Sequence, residues 1–209
     1  MSKIKHTELN NLDSERRRLL LVTSGMGTLG ICGFTTPMIT SFNPSERAKA
    51  SGAPVEVDIS DLKAGEQKVV EWRGKPVWII RRTEEMTAKL QVHNAELVDP
   101  KSEKPYSMPL PDYCNNEFRC RSEHKDVMVM VGVCTHLGCS PESKFKQGGG
   151  GSLPEGWPGG YLCPCHGSTF DLAGRVFRNK PAPQNLDVPP YMFVSDTKIL
   201  IGKDEHGEA

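Results

Sequence analysis

Cys134-Thr135-His136-Leu137-Gly138-Cys139 and Cys163-Pro164-Cys165-His166-Gly167-Ser168 are the two stretches on which the reading of this chain turns. Each supplies two cysteines and one histidine. The spacing is Cys-x-His, then 26 residues (137–162), then Cys-x-x-His. Two thiolates and two imidazoles can hold a tetrahedral zinc ion. They can equally hold a two-iron cluster, with two Cys on one iron and two His on the other. Cys139 and Cys165 make a further pair, one in each loop. A zinc site has no use for them, whereas two long loops around an exposed cluster are steadied by a covalent staple.

Outward from the loops, the chain reads as short strands. Val127 to Val133 is an apolar run leading directly into the first loop. After the second loop, Phe170-Asp171 and Arg175-Val176-Phe177 suggest a hairpin turning at Ala173-Gly174. Tyr191 to Val194 and Lys198 to Ile201 suggest a terminal hairpin across Ser195-Asp196-Thr197. Further upstream, Val55, Val57 and Ile59 alternate with polar residues, and Gln67 to Trp72 continues in that style. Gly74-Lys75-Pro76 reads as a turn, and Val77 to Ile80 as a buried strand before Arg81-Arg82. Thr83 to Asn94 reads as a short helix, capped by Thr83 and with Glu84 and Glu85 in its first turn. Asp99 to Asn116 is Pro-rich and expected to be irregular, and Gly148 to Ser152 to be a flexible loop tip. Sixteen prolines and twenty glycines in 209 residues agree with a loop-rich, mostly β protein.

Lys+Arg and Asp+Glu both total 26, so the formal net charge is zero. There is no basic stripe with interleaved aromatics, and nucleic acid is not an expected partner. Leu19 to Thr40 carries no charge; its 22 residues would span roughly 33 Å as a helix, about the thickness of a bilayer core. Arg16-Arg17-Arg18 before it should stay cytoplasmic, which places the rest of the chain on the other side. No Ala-x-Ala site follows, so an uncleaved anchor is expected rather than a signal peptide. Ser14 to Leu20 also matches a twin-arginine export pattern. Ser45 to Pro54 is small and polar and reads as a linker. The expected division is therefore a cytoplasmic segment 1–18, a transmembrane helix 19–40, a tether or hinge 41–54 and an extracytoplasmic domain 55–209, with a cluster-binding subdomain at about 132–180.

CTHLGC with CPCHGS resembles the paired loops of Rieske iron-sulfur proteins. Glu71-Trp72-Arg73-Gly74-Lys75-Pro76-Val77-Trp78, Arg81-Arg82-Thr83, the N-terminal anchor and Lys180-Pro181-Ala182-Pro183 are similar to the Rieske subunits of ubiquinol-cytochrome c reductases. The resemblance spans roughly Ser14 to Gly202. It implies an antiparallel β-sandwich head with a small cluster-binding subdomain and one N-terminal transmembrane helix. It implies one [2Fe-2S] cluster per chain, with Cys134 and Cys163 on the buried iron and His136 and His166 on the outer iron, where the histidines also act as the redox-linked proton sites. Cys139 and Cys165 would form the disulfide. Leu137 would pack at the quinol pocket of cytochrome b, and Ser168 would donate a hydrogen bond to a cluster sulfide.

The same resemblance implies an electron carrier of a proton-translocating complex in the bacterial inner membrane. Its partners would be cytochrome b, a c-type cytochrome and quinol, in a dimeric assembly. Other Rieske components, such as an arsenite oxidase small subunit or an oxygenase ferredoxin, are the alternatives within this resemblance. The oxygenase type usually lacks the anchor and the disulfide pair, and the Glu71–Thr83 segment favours the quinol complex.

Two positions depart from the family pattern. Phe170 stands where high-potential members often carry tyrosine, which implies a lower potential here, because hydrogen bonds to sulfur raise it. Lys180 stands where Gly often precedes the Pro-Ala-Pro turn, so the covering loop is expected to differ in shape or charge. Cys114 and Cys120 are close enough in sequence to pair after export. Cys32 lies in the anchor as a small packing residue.

Overall fold

The structure, a computed structural model, describes residues 2–45, 48, 52–104, 106, 108–151, 153 and 156–208. The chain divides into two units, Met1–Lys49 and Ala50–Ala209.

The first unit is built on one helix, α1 (Ser2–Thr40). It extends N-terminal to the apolar run Leu19–Thr40, through a polar stretch whose Lys, Glu, Leu and Arg residues are good helix formers. Its stretch Ser14–Thr40 is long and apolar enough to cross a membrane. Leu21, Leu29 and Phe34 stand 74–75% exposed, a surface suited to lipid rather than water. The threonines satisfy themselves along the helix: Thr23, Thr28, Thr35 and Thr36 hydroxyls donate to the carbonyls four residues back. That arrangement pairs these four hydroxyl protons in an apolar surround. Of the expected linker Ser45–Pro54, positions 46, 47, 49, 50 and 51 lie outside the described residues.

The second unit carries short antiparallel strands, as the alternating pattern predicts. They are β1 (Val55–Asp58), β2 (Gln67–Trp72), β3 (Lys75–Arg81), β4 (Val127–Val131), β5 (Glu142–Lys144), β6 (Gly160–Leu162), β7 (Thr169–Phe170), β8 (Tyr191–Ser195), β9 (Lys198–Ile201), β10 (Lys203–Asp204) and β11 (Gly207–Glu208). They form the three-stranded sheets β1-β9-β8, β2-β3-β4 and β5-β6-β7, with β10 paired to β11. Strand β4 is buried at every residue, and Ile79, Ile80, Val129, Tyr161, Phe170 and Ile201 belong to the shared core.

The sequence places the β2–β3 turn at Gly74-Lys75-Pro76; the structure places it one residue earlier. Trp72 pairs with Lys75, and the turn is Arg73-Gly74, both with positive φ (52° and 70°), the form that matches strand twist in a two-residue hairpin. Pro76 sits inside β3, where its carbonyl accepts the Gly132 N–H (2.8 Å). Gly132 is required there, because a Cβ would lie 2.1 Å from the Trp78 indole.

The expected helix is confirmed but shorter: α2 (Glu84–Lys89), with Thr83 accepting the Met86 N–H. Cys114 and Cys120 do not pair; both are free and fully buried. The Cys114 sulfur lies 4.0 Å from the Tyr191 hydroxyl, and Arg82 Nη2 donates to Cys120 Sγ (3.1 Å). Burial pushes Cys114 up to about 12 and raises Cys120 as well, so both stay protonated and unreactive.

Candidate metal centre

The two loops are held at the same end of the β5-β6-β7 sheet. Leu162 pairs with Glu142 on one side and Thr169 on the other. The second loop is therefore the tip of the β6–β7 hairpin, and the first loop runs from β4 back into β5. Each loop closes in the same way. The Cys134 N–H donates to the Cys139 carbonyl (2.7 Å) and the Gly138 N–H to the Cys134 carbonyl (3.0 Å). The Cys163 N–H donates to the Ser168 carbonyl (2.7 Å) and the Gly167 N–H to the Cys163 carbonyl (2.9 Å). Gly138 and Gly167 occupy the left-handed positions, at φ 85° and 76°.

On this shared frame the donors lie at graded depth. Cys134 and Cys163 are free and each 2% exposed. His136 is half-buried and His166 exposed, and their rings meet edge to face with centroids 4.8 Å apart. Burial raises the Cys134 thiol. The His136 N–H pulls it back, the neighbouring Cys163 raises it, and the Ser168 hydroxyl lowers it. The sulfurs of Cys139, Cys163 and Cys165 lie within 4.8 Å of one another. Cys139 and Cys165 are joined as a disulfide (Cα–Cα 6.7 Å), so neither is a thiolate donor. What remains is two thiols below two imidazoles, a donor set that fits a [2Fe-2S] cluster bound S₂ on one iron and N₂ on the other.

A third segment clamps both loops. The Ala182 N–H donates to Ser168 Oγ (3.0 Å), and the Thr135 hydroxyl donates to the Gln184 carbonyl (2.6 Å). Ser168 is fully buried, and its hydroxyl faces the Cys134 sulfur, whose thiol it lowers. Asn179, not Lys180, takes the left-handed conformation (φ 57°) in this segment; Lys180 therefore alters the charge of the covering loop without demanding a glycine-like backbone. Leu137 stands 71% exposed at the tip of the first loop.

Sequence reasoning missed the buried polar groups that support the loops. Asp171 Oδ1 accepts the N–H groups of Ala173 and Arg175, and Oδ2 accepts Arg175 Nε at 2.7 Å. Arg175 continues to Asn94 and to the Pro100 and Leu90 carbonyls. Arg119, also fully buried, donates to the carbonyls of Ala173 and Leu186. The Asp at the start of the Ala173-Gly174 turn is a recognisable signal for a side-chain-capped turn; nothing in the sequence marks the arginines as buried.

The fold and this donor set define a Rieske-type [2Fe-2S] protein, and residues 114–191 match the family described as the Rieske [2Fe-2S] domain. The chain is 50% identical over 189 residues to the ubiquinol-cytochrome c reductase iron-sulfur subunit of Allochromatium vinosum, covering 90% of this chain and 88% of that one. It is 41% identical over 198 residues to the protein of the same name from Bradyrhizobium diazoefficiens, covering 94% and 99%. Among solved structures, a chain of a hyperthermophilic respiratory Complex III aligns at 27% identity and a TM-score of 0.43, over 86% of this chain and 97% of that one. The chain belongs to the family of ubiquinol-cytochrome c reductase iron-sulfur subunits.

Proposed function

We propose that this chain carries single electrons from quinol, bound in a cytochrome b subunit, to a c-type cytochrome, as part of a dimeric membrane complex that translocates protons. In this reading Cys134 and Cys163 hold the inner iron, and His136 and His166 hold the outer one. The observation that supports it most is the depth gradient of the donors: buried free thiols below imidazoles that reach solvent. When bound, the cluster supplies a one-electron site whose two neutral imidazole ligands place its potential in the roughly −150 to +300 mV range.

The residues around it have separable tasks. Each of His136 and His166 would bind iron through one ring nitrogen and offer the other to a proton from quinol. Leu137 offers an apolar tip to the quinol pocket of cytochrome b. Ser168 donates to sulfur and lowers the negative charge felt there. The Cys139–Cys165 bond needs an oxidising compartment, which fits a head outside the cytoplasm and Arg16–Arg18 inside. One small head cannot lie next to both the quinol pocket and the cytochrome haem, so Ser45–Pro54 serves as the hinge on which it swings.

The test is made in membranes that contain the complex. Leu137→Asp should depress quinol oxidation at least tenfold while the reduced-cluster EPR spectrum keeps its intensity. Rigid prolines inserted in Ser45–Pro54 should slow cytochrome reduction, again with the spectrum intact. Unchanged turnover in both would refute the reading.

A further inference from the structure

The segment Lys180–Gln184 touches both loops, through Ala182 on Ser168 and Thr135 on Gln184. What seats that segment is the residue that follows it. Asn185 is fully buried and uses both ends of its amide. Its Oδ1 accepts the Val176 N–H (2.9 Å). Its Nδ2 donates to the Tyr106 hydroxyl (2.8 Å) and the Asp99 carbonyl (2.9 Å), with the Ser102 hydroxyl at 3.3 Å. The Tyr106 hydroxyl donates onward to Asp99 Oδ2 (2.9 Å). Asp99 also accepts the N–H groups of Glu103 and Lys104. Leu186 is held from the other side by Arg119, whose guanidinium lies over the Tyr106 ring at 5.5 Å.

We propose that Asn185 is a positioning residue for the cluster: seated by Tyr106 and Asp99, it fixes the Lys180–Gln184 strap and so holds the Ser168 hydroxyl at the ligand sulfurs. The proposal rests on the ligand set Cys134, His136, Cys163 and His166. The chemistry of the pocket selects an amide. The Val176 N–H needs an acceptor, and the Tyr106 oxygen and Asp99 carbonyl need a donor, all from one planar group. Aspartate would turn a lone pair toward two oxygens; leucine would leave the Val176 N–H without its acceptor and take a donor from the Tyr106 oxygen and the Asp99 carbonyl. The proton order is also fixed: because Tyr106 gives its hydroxyl proton to Asp99, its oxygen is free to accept from Asn185.

The experiment is an EPR-monitored redox titration of the complex in membranes, for Asn185→Ala, Tyr106→Phe, Ser168→Ala and the double variant Asn185→Ala/Ser168→Ala. Asn185→Ala should lower the midpoint in the same direction as Ser168→Ala, with a smaller shift for Tyr106→Phe. The double variant should lie close to Ser168→Ala alone, because both changes act through one hydroxyl. Amide exchange at Ala182 should quicken in Asn185→Ala and Tyr106→Phe, in the presence or absence of metal. An unchanged midpoint in both strap variants, or shifts that simply add, would overturn the proposal. If Asn185→Ala does not accumulate, Tyr106→Phe, which keeps the ring, carries the same test. A parent complex with no [2Fe-2S] signal would refute the ligand set itself, whatever the variants do.

Discussion

The imidazoles of His136 and His166 stand perpendicular, with centroids 4.8 Å apart, although the two residues occupy different positions in their loops, third in one and fourth in the other. On the proposed ligand set, replacing either with alanine removes a ligand that Cys139 and Cys165 cannot supply, because they are bonded to each other. Each variant should lose the reduced-cluster EPR signal and bind less than about half of the two irons expected of such a centre. Iron analysis and EPR on the same sample check this. A full signal from His166→Ala would remove that residue from the ligand set.

The disulfide joins residues 26 apart. In the chain-entropy model, closing a loop of that length stabilises by roughly 3 to 4 kcal/mol. Cys165→Ala should therefore melt well below the parent, and the loss should appear without metal as well. Thermal unfolding of apo protein measures it. Equal melting temperatures would mean that the staple does nothing for the fold.

Phe170 is fully buried and lies opposite Tyr161 across the β6–β7 pair. A phenyl ring offers no hydrogen bond to sulfur. Phe170→Tyr should raise the cluster potential, as an added donor stabilises the extra electron. Voltammetry reads the shift directly; a midpoint that stays or falls would show that this position does not reach the ligand sulfurs.

Asp99 is 5% exposed. Burial pushes its carboxyl up, but the N–H groups of Lys104 and Glu103 and the Tyr106 hydroxyl outweigh it and hold the carboxyl below its ordinary value. A carboxyl lowered in the folded state stabilises fully above its unfolded value, near pH 4, and loses that contribution as pH falls through the lowered value. Asp99→Asn should thus cost about 1–2 kcal/mol at neutral pH and progressively less in acid. Denaturant unfolding at pH 7 and pH 3 compares the two. A cost that grows in acid would contradict the assigned ionisation.

The parts legible in the sequence are those with local causes. Thr83 caps α2 because its hydroxyl meets the Met86 N–H three residues on. The alternation of Val55, Val57 and Ile59 and the hairpin across Ser195-Asp196-Thr197 pointed to strands that the structure retains. The paired Cys and His loops stood out because a metal centre needs fixed residue types. The β5 and β6 strands were not, since three-residue strands in a Gly- and Pro-rich insertion gain their pairing from each other, as in Glu142 with Leu162. Cys114 and Cys120 show the same limit. Their spacing permits a bond, but the core holds them apart in separate contacts, one at Tyr191 and one at Arg82. Burial of Arg119, Arg175 and Asn185 depends on carbonyls up to 86 residues away, which no local pattern records.

The measurement that tests the central claim most directly is metal and sulfide analysis of the isolated protein, combined with EPR after reduction by dithionite. Two irons, two sulfides and a spectrum with a g-average below that of the free electron are the results expected of Cys134, His136, Cys163 and His166 holding one [2Fe-2S] cluster. One zinc per chain and no EPR signal would contradict it.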